Sequence, residues 1–291
     1  VRTMKALAAV NVRIFGQARD AIENYMDTVE RGLQILIQSA RREEPSGSLA
    51  AQGLSGSGVP IETTVGREAR NGLGLFVFGA VQGMCGQFSD HIARDAVEYA
   101  SRFDGPVQTV AVGPRVGGRL IERGLLVERS VDMTGSLESL PRVVDDCIVA
   151  MDQLRRRGIN RAVVFYNAEG AHASYDPHHE LVLPVSEAWL GRIGRRTWPS
   201  NMLPVPATPR PALLSALTRQ YLFASFYRAA AQSLSSENAA RLSSMQSAES
   251  NIEEQLDELR SAYNQQRQQE ITSELLDIVG GYTALQEESG Y

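Results

Sequence analysis

From Ala212 to Val279 the chain contains neither glycine nor proline. These residues are the strongest interrupters of regular backbone. What fills the stretch instead is mostly Ala, Leu, Gln, Glu, Ser and Arg, largely good helix formers. At 1.5 Å per residue a single helix here is about 100 Å long. Ile252, Leu256, Leu259 and Tyr263 step by 4, 3 and 4 along it, a heptad seam, and Ile271, Leu275 and Ile278 resume the seam after a polar interruption. All 12 prolines and 20 of the 25 glycines fall between Pro45 and Pro211. The chain therefore has two unpunctuated arms and a punctuated middle.

The first arm carries a heptad pattern of its own. Met4, Leu7, Asn11, Ile14, Ala18, Ala21, Tyr25 and Val29 step by 3 or 4 residues, with one Asn and two Ala in the seam. A buried Asn at such a position fixes coiled-coil register at some cost in stability. Two such arms fold most simply as an antiparallel hairpin of helices with the middle inserted at one end. The expected boundaries are an N-terminal coiled-coil helix over 1–40, a flexible linker over 41–70, an α/β domain over 71–210 and a C-terminal coiled-coil helix over 211–286. From Ala229 to Asn251 the second arm is thin, with Leu234, Leu242 and Met245 its only large apolar residues. The plainer reading is a solvent-exposed helix held by propensity and its partner. The sharper one is a shaft that touches other subunits lightly.

The middle alternates strand and helix patterns. Leu73–Phe78, Val107–Val112, Leu125–Val131, Arg161–Asn167 and Leu181–Val185 read as strands. Phe88–Phe103, Arg115–Arg123 and Leu137–Arg157 read as helices, the last stopped by Gly158. Strands alternating with helices predict a mostly parallel sheet and an α/β class. The 41–70 stretch, with Gly47, Gly53, Gly56 and Gly58, has linker composition.

Composition and motifs narrow the function. A net charge of −5 and a pI near 5.5 argue against a nucleic-acid binder that lives on phosphate contacts. Two cysteines, Cys85 and Cys147, exclude a disulfide scaffold and a four-cysteine zinc site, and fit a reducing, cytosolic compartment. No apolar run reaches the roughly 18 residues of a membrane span. The start, Val1-Arg2-Thr3-Met4-Lys5, is no signal peptide, and a chain opening on Val is expected to have its natural start upstream. Gly79-Ala80-Val81-Gln82-Gly83-Met84-Cys85-Gly86 sits between a strand and a helix, where phosphate cradles form. Its spacing fits neither G-x-G-x-x-G nor a P-loop, so the glycines are read as a tight strand-to-helix turn. His172, Asp176, His178, His179 and Glu180 cluster around Pro177 without a second ligand group, and are read as a polar surface loop rather than a zinc site. No catalytic, cofactor-binding or metal-binding set emerges.

Several segments resemble one family. Ser236-Glu237-Asn238-Ala239-Ala240-Arg241-Leu242 is similar to the S-E-x-A-A-R-M segment of the gamma subunits of F-type ATP synthases. The run from Asn264 to Leu275 resembles the same family's N-x-x-R-Q-x-x-I-T-x-E-L, continued by Asp277-Ile278-Val279-Gly280-Gly281. Thr3-Met4-Lys5-Ala6-Leu7 is similar to its first-helix motif around a lysine, and Gly83-Met84-Cys85-Gly86 to its G-L-C-G turn. The Gly/Ser-rich linker and Asn11 depart from the common pattern and resemble the divergent alternate, or sodium-type, branch.

The resemblance implies an antiparallel coiled coil of the terminal helices with an inserted Rossmann-like α/β domain. It implies a non-catalytic central stalk without cofactor, turning inside a ring of alpha and beta subunits, with the epsilon subunit and the membrane c-ring at its foot. It places the complex at the cytoplasmic face of the inner membrane, and gives Arg267, Gln268, Thr272 and Lys5 to contacts with the alpha/beta ring. The residues alone leave a second reading: a small-molecule-binding α/β protein with a helical oligomerisation arm.

Overall fold

In the computed structural model, which describes residues 1–43, 61–62, 72–170, 175–202 and 204–288, the first arm is one helix, α1 (Arg2–Glu43). It takes in Arg41, Arg42 and Glu43 of the Gly/Ser-rich stretch. Most of the rest of that stretch lies outside the described residues, but Ile61–Glu62 (β1) is a short strand. The middle then runs as β2 (Gly72–Phe78), α2 (Phe88–Ser101), β3 (Val107–Val112), α3 (Val116–Glu122) and β4 (Val127–Val131). A single 3₁₀ turn leads into α4 (Leu140–Arg156), followed by β5 (Ile159–Glu169), β6 (Tyr175–Leu183), β7 (Val185–Ser186) and α5 (Glu187–Arg195). Gly158, at φ +85°, ends α4 in the left-handed conformation that its position in the sequence predicts. The last helix, α6 (Arg210–Glu288), has 79 residues and spans about 120 Å.

Five strands form one sheet in the order β4-β3-β2-β5-β6, parallel except for the β5–β6 pair. β1 pairs separately with β7. Alternation along β2 divides the core. Leu73, Leu75 and Val77 meet Ile92, Ala96 and Leu120 of α2 and α3 on one face. Phe76 and Phe78 point to the other face, which is covered by α4 and by α6 itself. Phe226 of α6 lies edge-on to Phe76 with ring centroids 4.9 Å apart. The shaft is thus one layer of the sheet domain rather than a separate rod beside it.

β6 corrects one expectation. Asp176, His178, His179 and Glu180 belong to a nine-residue antiparallel edge strand, not to a loop. His172 lies outside the described residues. His178 stacks near Tyr166, while His179 meets Tyr99, Phe165 and Asp95. Successive side chains leave opposite faces of a strand, so the two imidazoles cannot converge on one ion.

The helices α1 and α6 run antiparallel. Tyr25 donates to Gln220 at 2.5 Å, Asn11 meets Asn238, and Lys5 and Arg2 reach Glu249. The seam differs from the expected one. Phe15, Ala18, Ile22, Met26, Val29, Leu33 and Leu36 are buried, whereas Leu7, Ile14 and Tyr25 are more than one-third exposed. Ala18 and Val29 hold the places expected of them, but Phe15, Ile22 and Met26 replace their neighbours Ile14, Ala21 and Tyr25, because the bulkier set removes more apolar area from water.

The thin stretch of α6 is also corrected. Ala229, Ala230, Ala231, Ser233, Leu234, Ser235, Ser236, Ala239 and Ala240 are buried between α1 and the sheet domain. Small side chains here let three layers approach closely and do not mark a solvent-facing helix. The expected C-terminal seam, from Ile252 to Ile278, packs on nothing among the described residues, and each of its apolar members is 46–72 % exposed.

Candidate functional site

Between Ala229 and Ala248 the shaft has only two charged residues, Glu237 and Arg241, one helical turn apart. Both are buried and they pair with each other. Burying an ion pair carries a large desolvation cost unless every remaining donor and acceptor is satisfied. The Gly79–Gly86 turn supplies those partners. The backbone N–H groups of Val81 and Gln82 each donate to one Glu237 carboxylate oxygen at 2.8 Å. In return the Arg241 Nε donates to the Gly83 carbonyl at 3.0 Å, and its Nη1 to the Asn238 amide oxygen at 2.9 Å. Asn238 donates onward to the Leu234 carbonyl at 2.8 Å.

The turn is shaped to present those groups. Met84 and Gly86 have φ of +62° and +64°. Gly79 brings the end of β2 against α3, where a Cβ would stand 2.3 Å from that of Val116. The Ser89 hydroxyl, in the first turn of α2, accepts from the Ala80 N–H at 3.0 Å. Cys85 is buried beside Phe88 and Ala240, and burial pushes its thiol up, with Glu237 adding to the effect. Cys147 is fully enclosed and its thiol is raised further by burial, so both cysteines behave as small core residues.

Two more ties join shaft and domain. Arg228 of α6 pairs with Glu180 on β6, and Glu30 of α1 accepts from Arg196 at 2.6 Å. Gln34 and Gln38 donate to the Arg196 carbonyl at 2.7 and 3.1 Å. Beyond Glu249 the situation reverses. Residues 250–288, about 60 Å of helix, project away from the domain. Arg267, Gln268 and Thr272 lie there, fully in the open, with the Thr272 hydroxyl donating to the Gln268 carbonyl at 2.7 Å. Lys5, the one lysine in the sequence, is 2.7 Å from Glu249, at the point where the hairpin ends. It is therefore separated from the other three expected contact residues by several turns of helix.

The sequence motif around Glu237 was legible without its role. An oppositely charged pair four residues apart in an otherwise uncharged stretch of some twenty is the signal that marks it as buried. Among the described residues no group of three or more His, Cys, Asp or Glu side chains is placed to hold a metal. No helix among them is long and apolar enough to cross a membrane.

A long helix clamped into a sheet domain and running free beyond it can be compared with known proteins. The model of the ATP synthase family matches residues 1–285. The chain is 31 % identical over 264 residues to an ATP synthase gamma chain of Dehalococcoides mccartyi, covering 88 % of this chain and 87 % of that one. The chain belongs to the ATP synthase gamma-chain family. It is also 27 % identical over 230 residues to the ATP synthase gamma chain of Nitrosomonas europaea, covering 76 % of this chain and 77 % of that one. The fold resembles a chain in the central stalk and c-ring of Tetrahymena thermophila mitochondrial ATP synthase, with a TM-score of 0.57, 17 % identity, and coverage of 85 % and 98 %. It resembles one in the Euglena gracilis enzyme, solved with OSCP, F1 and c-ring, with a TM-score of 0.52, 16 % identity and 97 % coverage of each chain. As a gamma chain it is a non-catalytic stalk subunit.

Proposed function

We propose that this gamma chain is the rotor of an F-type ATP synthase. It transmits rotation between a membrane c-ring and a ring of alpha and beta subunits, and so couples proton or sodium translocation to ATP synthesis or hydrolysis. The observation that carries the reading is the free helix from 250 to 288, which leaves a domain tied to it by hydrogen bonds and a shared core. A rod can pass a twist only if its base does not slip, and the Glu237–Arg241 clamp and the Phe76–Phe226 contact supply that grip.

In this reading the exposed apolar stripe of the free helix turns against the alpha/beta ring. Arg267, Gln268 and Thr272 hydrogen-bond to loops of that ring, as a fixed fork of donors and two mixed donor–acceptors. The sheet domain sits on the epsilon subunit and c-ring, peripheral to the cytoplasmic face of the inner membrane. The small-molecule reading loses its motive, because the turn that resembled a phosphate cradle already holds Glu237.

The test is co-expression of the tagged chain with alpha and beta subunits. A stoichiometric complex whose ATPase depends on the tagged chain, and in which that chain rotates when observed singly, is expected. Recovery of the chain without either subunit overturns the proposal.

A further inference from the structure

We propose that the Val81–Gly83 turn is an oxyanion-binding cradle, and that Glu237 is its built-in ligand, tethered there by the shaft. Two adjacent backbone N–H groups converge at 2.8 Å on the two oxygens of one carboxylate. The Arg241 guanidinium donates to the same carboxylate and to the Gly83 carbonyl. A second guanidinium, that of Arg115, lies beside Gly83, close enough that a Cβ there would stand 3.2 Å from its Nη2. Two arginines against one glutamate leave the place electropositive without Glu237. Paired N–H donors backed by arginine are the donor set that holds carboxylates and phosphates generally.

The ligand comes from the shaft and the cradle from the sheet domain, so occupancy and docking are one event. Hydrogen bonds run both ways across the joint, from turn to shaft through Val81 and Gln82, and from shaft to turn through Arg241. A sliding motion in either direction along the helix breaks at least one of them. A tethered carboxylate acts at a high effective concentration, which keeps free anions out of the intact protein. Removing it exposes a site sized for a one- or two-carbon carboxylate.

The experiment uses the full chain with Glu237→Ala, melted in potassium formate, potassium acetate and potassium chloride at equal ionic strength. The substitution is expected to lower the melting midpoint by about 5 °C or more. Formate restores at least half of the loss and chloride does not, while the parent chain shows no formate-specific gain. Equal recovery in chloride, or none in formate, overturns the proposal. If Glu237→Ala does not fold in any of these salts, the Glu237→Gln chain decides. Hydrogen exchange at the Val81 and Gln82 amides is then expected to quicken at least tenfold relative to the amides of β2. Unchanged protection at those two positions overturns the proposal.

Discussion

The Asn11 amide donates to the Asn238 amide oxygen across the helix pair at 3.3 Å, and the same oxygen accepts from Arg241 at 2.9 Å. A polar residue in the seam of α1 is thereby linked to the clamp that holds the sheet domain. Asn238 makes three bonds and Asn11 one, so their losses differ. Asn238→Ala is expected to cost about 2–3 kcal/mol and Asn11→Ala about 1 kcal/mol. A double-mutant cycle by urea unfolding should return a coupling of about 0.5–1.5 kcal/mol. Strict additivity would show that the pair does not set the register.

The glycines of the β2–α2 turn should separate cleanly. At Gly79 an added Cβ meets the Val116 Cβ at 2.3 Å, and neither atom can rotate away. Gly79→Ala is expected to cost about 2–3 kcal/mol, as overpacking does. Gly86→Ala, with φ +64° but open space, should cost about 1 kcal/mol. At Gly83 the nearest atoms belong to the end of the Arg115 side chain, which can swing aside, so Gly83→Ala should cost least. Thermal melts of the three variants check the order.

How much of this was readable beforehand varies with what each segment packs against. The central strand β2 announced itself as a short apolar and aromatic run because both of its faces are covered. The first half of β6 did not, because it is an edge strand with β5 alone as partner. Proline and charged or polar side chains are what keep such an edge from recruiting another chain. The seam of α1 was partly misplaced because its sequence holds two overlapping stripes and only tertiary contact chooses between them. The Ala/Ser stretch of α6 looked too thin to bury. In the folded chain its thinness is what admits α1 on one side and β5 on the other. The clamp was visible as a motif, but nothing in one sequence says that Glu237 finds the N–H groups of Val81 and Gln82. Arg267, Gln268 and Thr272 stood out as a polar interruption of the heptad seam, and only family likeness gave them to the alpha/beta ring; all three side chains are exposed.

Alkaline pH should weaken the sheet-to-shaft core. Burial raises the phenols of Tyr166 and Tyr221 to about 12, with Glu180 adding to both. Below pH 10 each phenol is protonated whether the chain is folded or not, and its contribution is complete. As the pH climbs from 10 towards 12 the unfolded chain ionises first, so stability falls by about 3 kcal/mol per tyrosine over that window. The buried thiols act with the same sign, as do the phenols of Tyr175 and Tyr227, which burial also raises. Urea midpoints at pH 9, 10 and 11 should fall, and Tyr166→Phe with Tyr221→Phe should flatten the decline.

Protection against hydrogen exchange should break sharply at Glu249. Before it, α6 is packed between α1 and the sheet domain; after it, the helix of the isolated chain has only its own hydrogen bonds. The Lys5 ammonium holds the Glu249 carboxyl below the usual carboxylate range. That tie is complete above the unfolded value of 4.5 and is lost as the pH falls through the lowered one. The first turns of α1 should then fray in acid, seen as faster exchange from Met4 to Ala8. Uniform protection from 212 to 281 would contradict the free-helix description.

Arg267 and Gln268 give the sharpest division between folding and function. Both side chains lie in solvent, beyond the end of the hairpin. A helix seam gains nothing from an Arg-Gln-Gln-Glu run, and neither residue contributes to the buried core. Arg267→Ala and Gln268→Ala should therefore leave the melting midpoint of the isolated chain nearly unchanged. In a complex reconstituted with alpha and beta subunits each should lower ATPase turnover or assembly, by the equivalent of about 1–3 kcal/mol per charge-assisted bond. Arg267 should matter more, because in the proposed contact its loss would leave charged acceptors unpaired, whereas a missing amide would leave a weaker gap. Gln268 and Thr272 share a helix face four residues apart, so Thr272→Ala should add little once Gln268 is gone. A double Arg267→Ala, Gln268→Ala complex that assembles and turns over like the parent would show that these side chains only keep the helix soluble.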